Sequence, residues 1–126
     1  MSAGNSGQDI SSIPAYPSFL RIGATDQNDD LASFSNYGRA VDFVAPGVSI
    51  LTTSPNGKYT YISGTSFSSP LSAGVAALIF SIRPDLKPMQ VAEILKISAT
   101  DIGSSYYFGR GRVDASEALK LARTFR

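Results

Sequence analysis

The sequence Gly64-Thr65-Ser66-Phe67-Ser68-Ser69-Pro70 runs without interruption into the apolar segment Leu71–Ile82. In that segment the large apolar residues are spaced as on one face of a helix; they are Leu71, Val75, Leu78, Ile79 and Ile82. Alanine and glycine occupy most positions between them, so the pattern predicts a helix that is buried on all sides. We expect Ser66 in its first turn and Pro70 near its start, where a proline forfeits only an unpaired N–H group.

A serine in the first turn of a helix lies beside unpaired backbone N–H groups and the positive end of the helix dipole. Both stabilise the negative charge that develops when a hydroxyl attacks a carbonyl group. The position therefore makes Ser66 a candidate nucleophile. For the tripeptide Gly64–Ser66 alone, an ordinary core helix capped by serine or threonine is the alternative.

The longer stretch Gly64–Leu78 closely resembles the signature around the nucleophile of subtilisin-like serine proteases, usually Gly-Thr-Ser-Met-Ala-x-Pro-His-Val-Ala-Gly. Phe67 replaces the usual methionine, and Leu71 replaces a histidine that is not the catalytic one. Other segments resemble the family in the same order; they are Ser2–Gly7, Ile22–Asp26, Ala32–Gly38, Val44–Ile50 and Gly109–Val113. The resemblance covers the chain from Ser2 to about Leu121.

The resemblance implies a three-layer α/β fold with a mostly parallel sheet, of which only the C-terminal part is present. Residues 1–126 then form the C-terminal portion of a subtilisin-like catalytic domain. The family's aspartate and histidine motifs belong to the N-terminal part of the catalytic domain. We expect that this part is missing from the chain and that it is the chain's partner in the complete domain. No aspartate of the chain matches the position of the catalytic aspartate.

The resemblance also assigns roles within Ser2–Gly7. The Asn5 side-chain amide would donate to the oxyanion, with the Ser66 N–H as the second donor. Substrate-binding roles fall on residues that flank these two or wall the specificity pocket; they are Ser2, Gly4, Ser6, Ala15, Gly64 and Thr65. On the residues alone, Ser2–Gly7 is equally well a solvent-exposed turn with an Asn side chain.

The loop Gln8–Ser18 is implied to line the first specificity pocket, which makes Ile13–Pro14 a candidate cis peptide bond. Asp42 has two interpretations. It is a simple charge at a strand edge, or it joins loop carbonyls around a weakly held calcium or sodium ion, as in some members of the family. The resemblance implies no required cofactor.

Composition narrows the classes of partner. The chain has 126 residues and a net charge of +1 without a basic cluster, which argues against nucleic acid or anionic membrane. No apolar run reaches the ~20 residues of a membrane-spanning helix, and no signal peptide is recognised. Cysteine is absent, which excludes disulfides and thiolate metal sites. The family resemblance implies a secreted or extracytoplasmic protein.

The remaining pattern predicts alternating strands and helices. A turn at Ser54–Lys58 predicts a hairpin, Pro88 begins a helix, and Asp114 with Glu117 forms a capping box for a last helix. The predicted strands are Phe19–Ala24, Val41–Ala45, Ile50–Thr53 and Tyr59–Ile62. A last strand, Tyr106–Val113, is implied by its resemblance to the family's Gly-x-Gly-x-Val strand. Basic and aromatic residues alternate in the last of these, but no wider patch supports nucleic-acid binding.

Histidine is absent from the sequence, so the chain lacks the imidazole that would take the proton of a nucleophilic serine. Two classes of function remain open. The chain is part of a serine endopeptidase acting on peptides or proteins, with histidine and aspartate supplied by the missing segment, or it is a non-catalytic fragment or pseudoprotease that acts as an assembly partner. A Ser-Lys hydrolase using Lys58 is a weaker third alternative. In each of the first two cases we expect the isolated chain to be inactive.

Overall fold

Short apolar segments bounded by turn residues form the strands of this computed structural model, which describes residues 1–126. The strands are β1 Ile22–Thr25, β2 Phe43–Pro46, β3 Ile50–Ser54 and β4 Lys58–Ile62. The α-helices are α1 Thr65–Ile82, α2 Pro88–Ile97, α3 Ser105–Phe108 and α4 Ala115–Thr124.

The central sheet is parallel, as predicted. β1 and β2 pair in parallel from Ile22 with Phe43 to Thr25 with Pro46. Single parallel bridges extend the sheet on both sides, from Ser2 to Ile22 and from Arg112 to Val44. All four residues of β1 are buried, which is typical of a parallel strand covered on both faces.

Two apolar clusters cover the two faces of this sheet. One joins β1 and β2 to the helices α1, α2 and α4 and includes Ile22, Phe43, Ile79, Ile94 and Ala118. The other lies under the loops on the opposite face and comprises Ala3, Ile10, Ala40, Val41 and Val44. The expected α/β class is therefore confirmed, with helices on one side of the sheet and loops on the other.

Helix α1 begins at Thr65, one residue before Ser66, so the predicted place of Ser66 in the first turn agrees with the structure. The expectation for Pro70 is wrong, because Pro70 is the sixth residue of α1 and lies beyond the first turn. Its ring removes the N–H that would have bonded to the Ser66 carbonyl. The helix ends at Ile82, before Arg83 and Pro84.

The prediction that α1 is buried on all sides is also wrong for this chain. Only Thr65, Ser68, Ser72 and Ile79 are buried, and the large side chains of Leu71, Leu78 and Ile82 are exposed. By length and composition α1 is the one helix apolar enough to cross a membrane. The core helix of a soluble protein can have the same length and composition. Helix α1 packs against β1, β2, α2 and α4.

The predicted hairpin is confirmed as β3 and β4, which pair antiparallel around Pro55–Gly57. Helix α2 begins at Pro88, as expected. The strand predicted over Tyr106–Val113 is wrong: Ser105–Phe108 form the short helix α3, and only Arg112 makes strand bridges, with Val44 and Thr100. Aromatic residues favour strands on propensity, but here the Ser104 hydroxyl accepts the Tyr106 N–H and caps a helical turn.

Candidate active site

The turn that carries Asn5 is joined directly to the start of α1. The Asn5 side-chain oxygen accepts a 2.9 Å hydrogen bond from the Thr65 N–H and a 2.7 Å bond from the Thr65 hydroxyl. The same Thr65 hydroxyl oxygen accepts the Gly4 N–H at 3.2 Å. Thr65 is fully buried, so these bonds are shielded from water. They orient the Asn5 amide with its oxygen toward the helix.

Because its oxygen is held by Thr65, the Asn5 amide nitrogen, Nδ2, is left without a hydrogen-bond partner in the chain. A Cβ atom placed on Gly64 would lie 3.6 Å from Asn5 Nδ2 and 3.7 Å from the Ser66 backbone nitrogen. The two nitrogens therefore flank the same small volume. The Ser66 N–H belongs to the first helical turn and makes no hydrogen bond within the chain.

Ser66 lies at the surface, and its hydroxyl makes no hydrogen bond in the chain. The helix end that carries it is fixed to the end of β2. The Gly64 N–H donates to the Gly47 carbonyl at 2.7 Å, and the Ser68 hydroxyl donates to the Pro46 carbonyl at 3.2 Å. A Cβ on Gly47 would lie 2.3 Å from the Ser68 hydroxyl oxygen, so glycine is needed for this close approach. The first turn of α1 thus lies at the carboxyl end of a parallel strand, the usual position of ligand sites in α/β sheets.

The structure brings together five of the eight residues that the sequence proposed for the site; they are Gly4, Asn5, Gly64, Thr65 and Ser66. Ser2 lies in the sheet bridge to Ile22, and the Ser6 hydroxyl donates to the Asn36 side chain at 2.9 Å. Ala15 lies in a different cleft. The substrate-binding roles of all these residues stay predictions.

Sequence reasoning missed Asn36, whose buried side chain bonds to the turn on both sides of Asn5. Asn36 falls within the segment Ala32–Gly38 that carries part of the resemblance. Nothing in its local pattern distinguishes it from an exposed turn residue, because its partners lie 28 or more positions away.

The loop Gln8–Ser18 contains no cis peptide bond, so the expectation for Ile13–Pro14 is wrong. The Arg21 guanidinium, Nη1, donates to the Pro14 carbonyl at 3.1 Å, and Arg21 also packs over the rings of Tyr16 and Phe19. Arg21 is buried, and these contacts join the loop to the residue that precedes β1.

At the start of the same loop, the Tyr106 hydroxyl donates to the Asp9 carboxylate at 2.5 Å. This hydrogen bond to a carboxylate is the main reason why the pKa of Tyr106 is raised to about 12. The bond ties the loop to α3.

The surroundings of Asp42 do not fit a bound cation. One carboxylate oxygen, Oδ1, forms a 3.0 Å ion pair with Lys96 Nζ, and the other, Oδ2, accepts the Arg21 N–H at 2.8 Å. The nearby Pro14 carbonyl is occupied by Arg21. The cleft beside Asp42, which Ala15 lines, also contains Arg39, and no group of three or more acidic residues, histidines or cysteines stands close enough to hold a metal. The Lys96 ammonium group already pairs with this carboxylate.

Comparison with known proteins defines the class: the profile of the subtilase family, peptidases of the S8 type, matches residues 1–111. The chain belongs to this family of subtilisin-like serine proteases.

Two curated relatives illustrate the match. Subtilisin BL of Lederbergia lenta is 43% identical over 119 residues, which are 94% of this chain and 44% of the relative. Subtilisin DY of Bacillus licheniformis is 43% identical over 123 residues, which are 94% of this chain and 45% of the relative. The chain therefore spans less than half of the length of these relatives.

Two solved protease structures are similar to the chain in fold. The prenylagaramide maturation protease PagA superposes with a TM-score of 0.78 at 33% identity, over 94% of this chain and 48% of PagA. A mutant of the protease domain of PatA gives a TM-score of 0.82 at 33% identity, over 97% of this chain and 46% of that domain. The subtilisin-type fold is thus shared over nearly the whole chain.

Proposed function

We propose that residues 1–126 are the C-terminal portion of the catalytic domain of a serine endopeptidase. In this proposal Ser66 is the nucleophile, and Asn5 Nδ2 and the Ser66 N–H form the oxyanion hole. The proposal is supported by two unpaired donor nitrogens that lie 3.6 and 3.7 Å from one point, the position of a Cβ on Gly64, next to an exposed serine hydroxyl without a partner.

The mechanism follows from what each group offers. The Ser66 hydroxyl attacks the scissile carbonyl of a peptide, and the carbonyl oxygen acquires negative charge. Two N–H donors held in place by Thr65 and by the first turn of α1 stabilise that charge without having to reorganise. The dipole of the 18-residue helix α1 acts in the same direction.

The general base and the residue that orients it must come from outside these 126 residues. The chain contains no histidine. Two of its aspartates already have structural roles: Asp42 pairs with Lys96, and Asp114 caps α4 through the Glu117 N–H at 2.9 Å. Lys58 is the first residue of β4, in register with Ser54, and the whole of that strand separates it in sequence from Ser66. We expect the isolated chain to hydrolyse no peptide bond at a useful rate, since loss of the triad histidine in subtilisin is known to lower kcat by about a millionfold.

An apolar stripe on α1 supports the proposal that another segment of the same domain packs against this chain. The stripe consists of Leu71, Leu78 and Ile82. These side chains are 41–48% exposed, and they follow one face of the helix. Ser2 bridges to Ile22 on one side only and leaves a parallel edge open beside it. A segment bearing the aspartate and histidine motifs would cover both features. The complete enzyme would act outside the cytoplasm on peptides or proteins and need no cofactor for the chemical step.

A second candidate is a non-catalytic subtilase fragment or pseudoprotease that serves in assembly. This candidate needs no histidine, and the 126 residues contain none. The two candidates differ in whether Ser66 becomes reactive when a histidine is supplied.

A chimaera distinguishes the two candidates. In the chimaera, the region of Subtilisin BL that matches this chain is replaced by residues 1–126, and Subtilisin BL is the positive control. We expect hydrolysis of a chromogenic peptide that is lost in Ser66→Ala and reduced by about 10²–10³-fold in kcat in Asn5→Ala. A chimaera that folds by circular dichroism and has no serine-dependent activity would favour the non-catalytic candidate.

A further inference from the structure

Asn36 lies on the opposite side of the Asn5 turn from Thr65 and is buried, with 7% of its surface exposed. Its side-chain oxygen accepts three hydrogen bonds, from the Ser6 N–H at 3.2 Å, the Ser6 hydroxyl at 2.9 Å and the Gln8 N–H at 3.0 Å. Its side-chain nitrogen donates to the Ala3 carbonyl at 3.0 Å. A single amide therefore binds the chain both before and after Asn5.

The backbone of Asn36 adds a fifth bond, from its N–H to the Gly4 carbonyl at 3.0 Å. The turn also passes too close to Asn36 for any side chain at Gly4. A Cβ there would lie 2.5 Å from Asn36 Nδ2, and the Gly4 φ of +105° is one that other residues rarely adopt. The close packing of the turn against the Asn36 amide therefore requires glycine at position 4.

The residue type matters, because an amide places a donor nitrogen and an acceptor oxygen on separate atoms of one short side chain. A carboxylate at this position could accept from Ser6 and Gln8 but could not donate to the Ala3 carbonyl. Two uncompensated oxygens would then face each other in a buried site.

We propose that Asn36 is a positioning residue that fixes the Asn5 turn, so that Asn5 Nδ2 is held where the oxyanion forms. Thr65 orients the Asn5 amide, and Asn36 fixes the backbone from which that amide projects. The inference rests on the proposed function of Asn5. Oxyanion donors act at about 2.7–3.1 Å, so a small displacement of the turn weakens transition-state stabilisation.

The test is a double-mutant cycle in the active chimaera with Asn36→Asp and Asn5→Ala. The matched control is Asn28→Asp, which makes the same chemical change at an exposed loop residue. We expect Asn36→Asp to lower kcat by about tenfold or more with KM nearly unchanged. In the Asn5→Ala background we expect no further loss, and Asn28→Asp should have no effect in either background. An equal loss in both backgrounds, or a change confined to KM, would overturn the inference.

A second measurement separates this inference from the proposed function. If the folded chimaera lacks serine-dependent activity, the proposed function fails, but the positioning of Asn5 can still be measured by ¹⁵N relaxation of its side-chain amide. We expect this amide to be rigid in the parent and in Asn28→Asp and mobile in Asn36→Asp. An equally rigid amide in Asn36→Asp would overturn the role of Asn36.

Discussion

The Thr65 hydroxyl donates a 2.7 Å hydrogen bond to the side-chain oxygen of Asn5, a residue 60 positions away. This bond and the Thr65 N–H bond determine which end of the Asn5 amide faces the volume beside Ser66. If the amide were rotated by 180°, its nitrogen would face the Thr65 N–H and its oxygen would repel an oxyanion. The orientation of a candidate catalytic group thus depends on the backbone N–H and the hydroxyl of Thr65.

Replacing Thr65 by valine in the chimaera tests this relationship, because valine preserves the shape of the side chain and removes only the hydroxyl. We predict that Thr65→Val lowers kcat by about 2- to 10-fold, because the variant loses the hydroxyl's bonds to the Asn5 oxygen and to the Gly4 N–H while the Thr65 N–H bond to Asn5 remains. Thr65→Ser keeps the hydroxyl and should retain most of the activity. A parental kcat in Thr65→Val would show that the backbone N–H alone suffices.

The cap of α4 predicts a dependence of stability on acid. The Glu117 N–H and then the Thr100 hydroxyl donate to the Asp114 carboxylate, and these bonds lower the pKa of Asp114. A carboxyl whose pKa is lower in the folded state stabilises the fold above its unfolded value of about 3.9, and this contribution is lost as the pH falls through the folded value.

Replacing Asp114 tests this dependence in the Ser66→Ala chimaera, which cannot digest itself. At neutral pH, Asp114→Ala should lower the free energy of unfolding by about 1 kcal/mol. Asp114→Asn keeps a capping oxygen and should lose less stability than the parent between pH 5 and pH 3. The control is Asp101→Asn, at an exposed loop residue. Parallel pH profiles for Asp114→Asn and the parent, measured by urea unfolding, would contradict the prediction.

The Asp42–Lys96 ion pair predicts that calcium does not act through Asp42. In the Ser66→Ala chimaera, Asp42→Asn should reduce stability by about 0.5–1 kcal/mol, since both side chains are partly buried at 25% and 34% exposure. Glu117→Gln breaks the more exposed Lys120–Glu117 pair and should cost less. Any shift of the melting temperature by millimolar calcium should be the same in the parent and in Asp42→Asn. A smaller calcium shift in Asp42→Asn would reveal a cation at that carboxylate.

The sequence predicted the features that depend on local pattern. Pro88 begins α2 and Asp114 caps α4 because these residues act within one helical turn. The place of Ser66 followed from the apolar spacing of α1, and the parallel sheet was implied by the family resemblance. The family resemblance implied a strand over Tyr106–Val113, but at Tyr106–Phe108 the chain forms a short helix that the Ser104 hydroxyl caps.

The sequence pattern did not predict contacts between residues that are far apart in the chain. Asn36 has no periodic or motif signal for its bonds to Ala3, Ser6 and Gln8, because those partners are brought to it only by the fold. The exposure of Leu71 and Leu78 was missed for a related reason. Apolar periodicity marks a surface that another element can cover, but it does not say whether that element lies within the chain.

The most direct test of the central claim is covalent labelling of Ser66 by a phosphonofluoridate, which reacts with a serine that is activated by a base and held beside an oxyanion hole. The chimaera, its Ser66→Ala variant and the isolated chain are treated with the reagent, digested and examined by mass spectrometry. We predict one adduct, on the peptide containing Ser66, in the chimaera and none in the other two samples. A folded chimaera that takes up no label at Ser66, or that is labelled at another serine, would contradict the assignment of Ser66 as the nucleophile.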